Sequence, residues 1–147
     1  MKLRIVWIGK TKDANLSALS DDYSARIQRF LPVEIVELKD PKRASEEGTR
    51  ILRALDSADR VVALDPRGAT WDSEQFARFF ARHMREDARR LTFVIGGFAG
   101  LAAEVKQRAD VLWSLSPLTF THDLTRVLLL EQIYRALSII HNHPYSK

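Results

Sequence analysis

The chain contains no cysteine in its 147 residues. That excludes disulfide frameworks, thiolate metal sites and cysteine nucleophiles. It also lacks any uninterrupted apolar run of about 18 residues, the length a membrane-spanning helix needs. There is no cationic leader followed by an apolar stretch and a small-residue cleavage site, so a cytoplasmic, membrane-free protein is expected. Low-complexity segments, linkers and internal repeats are missing too, which leaves a single domain over residues 1–147 as the simplest organisation. Neither sign of charge dominates: 23 Lys and Arg stand against 19 Asp and Glu, giving a net charge of +4. The resulting pI near 9.6 suits a polyanionic partner, but the excess is modest beside that of a dedicated nucleic-acid-binding domain.

Glycine is scarce, six in all, and three of the six fall together. Leu91 to Gly100 reads Leu-Thr-Phe-Val-Ile-Gly-Gly-Phe-Ala-Gly, a buried strand that stops in Gly96, Gly97 and Gly100. Glycine tolerates positive φ and carries no Cβ, so this is either a tight strand-to-helix turn or a loop that lets a ligand approach the backbone. The spacing fits neither G-x-G-x-x-G nor G-x-x-x-x-G-K-[ST], which disfavours the usual dinucleotide and nucleotide phosphate sites.

Around that stretch, strand and helix patterns alternate. Apolar runs at Lys2 to Ile8, Val33 to Leu38, Arg60 to Leu64, Leu91 onward and Val111 to Leu115 predict five strands. Helical spacing predicts helices from Leu16 to Phe30, from Ser45 to Leu55, from Asp72 or Ser73 through Met84, from Leu101 to Asp110 and from Asp123 to Ile140. Asp72 with Gln75 three residues later has the form of a capping box. Five alternating pairs predict an α/β fold, a mainly parallel sheet with helices on both faces. Ligands in such sheets bind beyond the carboxyl ends of the strands. Three of those ends are distinctive here: the Asp65-Pro66-Arg67-Gly68 turn, the glycine stretch, and the apolar, hydroxyl-bearing loop from Leu115 to His122. The last helix is apolar almost all round and needs cover on two sides, for which the sheet and a second subunit are the expected candidates.

Two basic or histidine-bearing features remain. Arg78, Arg82, Arg85 and Arg89 recur at helical spacing, either as a solvated face or as an RNA contact. His122, His141 and His143 have no helical metal-ligand pairing of the H-E-x-x-H kind, and no metal is expected.

Taken jointly, Leu64-Asp65-Pro66-Arg67-Gly68, Ile95-Gly96-Gly97-Phe98-Ala99-Gly100, Trp113-Ser114-Leu115-Ser116-Pro117-Leu118-Thr119 through His122, and Asn142-His143-Pro144-Tyr145 closely resemble the motifs of the ribosomal RNA pseudouridine N3-methyltransferases of the SPOUT class, in order and spacing over essentially the whole chain. The resemblance implies a C-terminal trefoil knot, a homodimer, S-adenosylmethionine as cofactor and a pseudouridine in a stem-loop of 23S rRNA as substrate, reached in the assembled ribosome. It implies a cofactor site at Leu64, Gly96, Leu115, Ser116, Pro117, Leu118, Thr119 and Phe120. Removal of the acceptor proton and orientation of the base then fall to His122, Arg126, Glu131, Arg135, His143 or Tyr145, with His122, Arg135 and Tyr145 the foremost candidates. The family tail usually carries a basic residue after His-Pro-Tyr, where this chain has Ser146 followed by Lys147. A SPOUT enzyme of another RNA and a non-catalytic RNA-binding dimer of the same fold are the competing readings.

Overall fold

The computed structural model describes residues 1–97 and 100–145. The Phe98-Ala99 centre of the glycine stretch and the Ser146-Lys147 end of the tail lie outside the described residues. Five strands, β1 (Leu3–Ile8), β2 (Val33–Leu38), β3 (Arg60–Thr70), β4 (Leu91–Val94) and β5 (Val111–Ser114), alternate with helices α1 (Ala14–Gln28), α2 (Glu47–Ala54), α3 (Ser73–Glu86), α4 (Ala103–Arg108) and α5 (His122–Ile140). The strands form one sheet in the order β2-β1-β4-β3-β5, and every pairing is parallel.

Alternation along β1 divides the core. Leu3, Ile5 and Trp7 point to one face, where they meet Ile27 of α1, Phe76 and Phe80 of α3, and Leu129, Leu130, Ile133 and Leu137 of α5. Val6 and Ile8 point to the other, with Ile51 of α2 and Val105 of α4. Phe76, Phe80 and Phe93 are among the largest fully buried side chains, and burying a phenylalanine stabilises a fold by about 1.5–3 kcal/mol. Edge strand β2 keeps its residues half-buried or exposed, as its Glu34 and Glu37 anticipate.

Local chemistry sets the helix starts. The Asp13 carboxylate accepts the N–H groups of Asn15 and Leu16, so α1 opens before the apolar spacing that begins at Leu16. Asp72 and Gln75 form the capping box of α3. The Thr121 hydroxyl accepts the Leu124 N–H at 3.3 Å and makes His122 the first residue of α5.

One expectation changes. The third strand does not end at Leu64. The Asp65 to Gly68 turn forms, with the Arg67 N–H on the Asp65 carboxylate at 2.9 Å, but Leu64 and Ala69 both stand opposite Trp113, so the turn is a register shift inside a longer strand. Gly68 is required there because a Cβ would lie 2.5 Å from the Leu112 carbonyl. For α5, the expected cover by the sheet is present, and its own chain supplies more. Helices α1 and α3 flank it on the sheet, which leaves Ile139, 38% exposed, and the half-buried Leu124 and Leu128 as its uncovered apolar residues.

Candidate functional site

Because all five strands are parallel, their carboxyl ends lie at one edge of the sheet, and the chain returns to that edge three times. The Leu115 to Thr121 loop leaves edge strand β5 and delivers α5 to the end of β1. There the Asp123 carboxylate accepts the N–H groups of Lys12 and Asp13 at 3.0 and 2.9 Å, and the Arg126 guanidinium donates to the Ile8 carbonyl and the Thr11 hydroxyl. The crossing carries this loop over the ends of β3 and β4.

A cavity of about 270 Å³ lies where the loops meet. Its wall includes Leu64, Gly96, Leu115, Ser116, Leu118, Thr119 and Phe120, seven of the eight residues expected at a cofactor site, and His122 stands at its rim. Pro117 is not part of the wall. It follows Ser116, whose hydroxyl accepts the Leu118 N–H at 3.0 Å and folds the loop back on itself. The wall is an apolar slot with a few polar groups, the usual make-up of a small-molecule site. Residues 115–121 belong to no helix or strand, so their peptide groups are not committed to a ladder and can serve a ligand.

Three wall or supporting groups were not singled out by the sequence. Asp65 is buried, and its carboxyl is held below the ordinary carboxylate range, first by the Arg67 N–H and then by Lys106 at 3.1 Å. It is therefore a fixed anion at the cavity. Glu47, at the start of α2, accepts the Gly97 N–H at 2.6 Å, and a Cβ on Gly97 would lie 2.1 Å from its other oxygen. A Cβ on Gly97 would therefore displace the Glu47 carboxylate from its bond, while a Cβ on Gly96 would meet the end of Leu101 at 2.9 Å and the Gly100 backbone at 3.2 Å. Asp65 stands in a turn that the sequence marks only as a turn, and Glu47 and Lys106 sit on short helices with no spacing signal, so only the fold reveals these contacts.

A second, larger cavity of about 740 Å³ shares Gly97, Thr119, Phe120 and His122 with the first. Lys10, Lys12 and Arg126 also line it. Arg126 is 2% exposed, and burial pushes its guanidinium below the usual arginine value. Among the described residues it makes no carboxylate ion pair. Its plane lies over the Trp7 ring at 4.7 Å, and its Nε has no hydrogen-bond partner. Backbone and hydroxyl oxygens and the Trp7 ring, not a carboxylate, therefore hold it.

Arg135 and Tyr145 are not brought to either cavity. Thirteen residues of helix separate His122 from Arg135, roughly 19 Å along the axis. Arg135 pairs with Glu131 at 2.8 Å, and the Tyr145 hydroxyl donates to the same Glu131 carboxylate at 2.8 Å while accepting from Tyr23 at 2.9 Å. Burial, then the bonds to Tyr23 and Glu131, holds the Tyr145 phenol well above its ordinary value, so it remains a hydrogen-bond donor and not a base. His143 stands edge-on to Phe30 and Tyr134 in the same cluster. No group of three or more metal-ligating side chains occurs among the described residues, and no helix there is long and apolar enough to cross a membrane.

The comparisons agree with this geometry. Residues 1–146 match the family model described as a predicted SPOUT methyltransferase. Proteins named ribosomal RNA large subunit methyltransferase H are 46% identical in Trichlorobacter lovleyi, over 99% of both chains, 44% in Syntrophotalea carbinolica, over 99% of this chain and 98% of that one, and 41% in Geobacter sulfurreducens, over 99% of both. Among solved structures, a probable methyltransferase from Bordetella pertussis superposes with a TM-score of 0.57 at 12% identity, over 92% of this chain and 95% of the other. A probable methylase family protein from Haemophilus influenzae reaches 0.61 at 13%, over 99% of this chain and 70% of that one; these two support the fold alone. With a family model matched along its length and relatives above 40% identity over nearly all of it, the chain belongs to the SPOUT methyltransferase family.

Proposed function

We propose that this protein transfers the methyl group of S-adenosylmethionine to N3 of a pseudouridine in a stem-loop of 23S rRNA, acting as a homodimer on the assembled ribosome in the cytoplasm. The observation that carries the reading is the pair of cavities sharing Gly97, Thr119, Phe120 and His122. The smaller suits the donor and the larger the acceptor base. The relatives' name specifies a large-subunit ribosomal RNA as their target.

The residues present fit the donor. Leu64, Leu115, Leu118 and Phe120 offer apolar surface to a flat heteroaromatic ring, peptide groups of residues 115–120 other than the Leu118 N–H can read its edge, and the Asp65 carboxylate can accept from hydroxyls. When bound, the cofactor supplies an electrophilic methyl on a sulfonium. One carbon–sulfur bond breaks, one carbon–nitrogen bond forms, and the pyrimidine N3 proton departs. Alignment is then the main task of the protein. Glu47 at the Gly97 N–H, and Asp123 and Arg126 at the end of β1, tie down the elements that carry the shared wall. His122 is the described side chain on that shared wall with a nitrogen that can accept the N3 proton, and Lys10, Lys12 and Arg126 place positive charge where the base becomes anionic.

The distance from the pocket to Arg135 and Tyr145 supports a dimer in which those groups reach the site of a second copy, with uncovered Ile139 and Leu118, 38% and 68% exposed, as apolar surface for contact. The crossing of the 115–121 loop over β3 and β4 supports the trefoil knot. The decisive test is mass spectrometry of 23S rRNA from cells lacking this chain. Loss of methyl from one pseudouridine is expected; unchanged methylation of all of them refutes the proposal. Titration of the protein with S-adenosylmethionine addresses the non-catalytic reading, which no detectable binding would favour.

A further inference from the structure

A groove of about 950 Å³ runs along the outer side of α3 and shares no residue with the two cavities of the site. Five arginines line it, Arg60, Arg78, Arg82, Arg85 and Arg89, against two carboxylates, Glu86 and Asp87. Resting on the ribosomal RNA reading above, we propose that this groove is a second RNA-binding surface, which takes the phosphates and an unstacked base of an rRNA segment away from the methylated nucleotide.

The arginines are arranged for phosphate. Arg78 and Arg85 are exposed and make no ion pair among the described residues. Two helical turns, about 10 Å of rise, separate them, a span that reaches successive phosphates of one strand. Arg82 and Arg89 are held by Glu86 and Asp87 at 2.9 and 2.8 Å. The Arg82–Glu86 pair is exposed on both sides, and a pair of this kind contributes little to stability and exchanges readily for a phosphate. Asp87 is held well below the ordinary carboxylate range by Arg89, so both acids of the groove are already engaged by arginine.

The floor is arranged for a base. Trp71 and Phe79 are half-buried with ring centroids 4.8 Å apart, and Arg60 lies over Phe79 at 4.7 Å. Trp71 is fixed from behind by the buried Trp113, 5.5 Å away. Rigid aromatics beside guanidinium groups are the usual means of binding single-stranded or looped RNA, where unstacked bases are available. An acidic protein would use the charge but not the aromatic floor. Trp71 follows Thr70 at the carboxyl end of β3, whereas Arg60, Asp87 and Arg89 lie by the amino ends of β3 and β4, so the groove runs along α3 from the edge of the sheet that carries the site toward the opposite edge.

The test compares wild type with R78Q/R85Q and W71L, binding protein-free 23S rRNA over a range of salt. The double variant is expected to bind about tenfold more weakly at low salt, and its slope of log affinity against log salt should fall by about 1.5, two phosphate contacts at about 0.7–0.9 each. W71L is expected to weaken binding about tenfold with the slope unchanged, because stacking releases no counterions. Affinity for S-adenosylmethionine and kcat on ribosomes stay at the wild-type level in R78Q/R85Q while KM for ribosomes rises. Wild-type affinity and slope in R78Q/R85Q would overturn the proposal. So would a loss seen only with RNA-free ribosomal proteins, which would mark an acidic protein as the partner. If wild type fails to methylate ribosomes while the binding differences persist, the methylation reading falls and the groove stands.

Discussion

Replacing Gly97 by alanine tests how the glycine loop is held. A Cβ there lies 2.1 Å from one oxygen of Glu47 and 2.6 Å from its carboxyl carbon. The Glu47 side chain is flexible and can swing away at little steric cost, but doing so takes its other oxygen off the Gly97 N–H, a 2.6 Å bond. A hydrogen bond to a charged group contributes about 1.5–3 kcal/mol, and 1.4 kcal/mol is a tenfold change in an equilibrium. If that loss falls wholly on the loop's binding-competent conformation, cofactor affinity drops by about 10- to 150-fold. Calorimetric titration with S-adenosylhomocysteine reads the affinity, and thermal unfolding confirms that the fold persists. The double variant G97A/E47A should bind no worse than E47A alone, since each change removes the same bond. E47Q, whose amide oxygen still accepts, should lose less than E47A. Wild-type affinity in G97A, or additive losses in the double variant, would refute the account of the loop as pinned by Glu47.

His83 is 1% exposed, and burial lowers its pKa. Its Nε2 faces the Arg89 carbonyl at 2.9 Å and its Nδ1 the Arg60 guanidinium at 3.3 Å, a setting for the neutral ring. Because the folded value lies below the unfolded one, near 6.5, the stabilisation is complete above that pH and falls away as pH drops beneath it. Urea unfolding between pH 7 and pH 5 should show that loss in wild type and a reduced slope in H83Q; equal slopes would contradict it. Gly68→Ala places a Cβ 2.5 Å from the Leu112 carbonyl and 2.7 Å from the Trp113 nitrogen, backbone that cannot yield without parting β3 from β5. A cost of about 2 kcal/mol, or a Tm fall of about 4–8 °C, is expected by scanning calorimetry, and an unchanged Tm would show the register shift to be pliable. Tyr145→Phe keeps the ring and removes the bonds to Glu131 and Tyr23. It should leave cofactor binding intact and reduce kcat about tenfold, as should deletion from Pro144 onward; loss of cofactor binding instead would make the tail a structural element.

Much of the scaffold was legible because its signals are local. Asp72 and Gln75 announce the start of α3 through contacts three residues apart, and the alternation of Leu3, Ile5 and Trp7 with Val6 and Ile8 already assigns the two faces of β1. Contacts that depend on the assembled sheet were less readable. The Asp65 to Gly68 segment has the residues of a turn, and it is one; only its pairing with β5, across more than forty residues of chain, makes it an interruption inside β3 and not its end. The apolar circumference of α5 required cover, but the sequence did not say that α1 and α3 would supply most of it.

The site divides along the same line. The loops from Leu64, Gly96 and Leu115 to Phe120 were recognisable because each carries its own motif, and parallel pairing at one sheet edge then brings them together without further instruction. The groups that stiffen those loops bear no motif. Glu47 reaches Gly97 across fifty residues, Asp123 reaches Lys12 across 111, and Arg126 reaches Ile8 across 118. Each is a charged side chain spent on a backbone group at the end of a strand, where the ladder has stopped and the peptide would otherwise need water. A parallel sheet leaves such groups at its carboxyl ends, and here charged side chains distant in sequence satisfy these three. The same contacts that complete the hydrogen bonding of the fold hold the shared wall of the two cavities in register, so loss of Glu47, Asp123 or Arg126 should be felt in ligand affinity before it is felt in global stability.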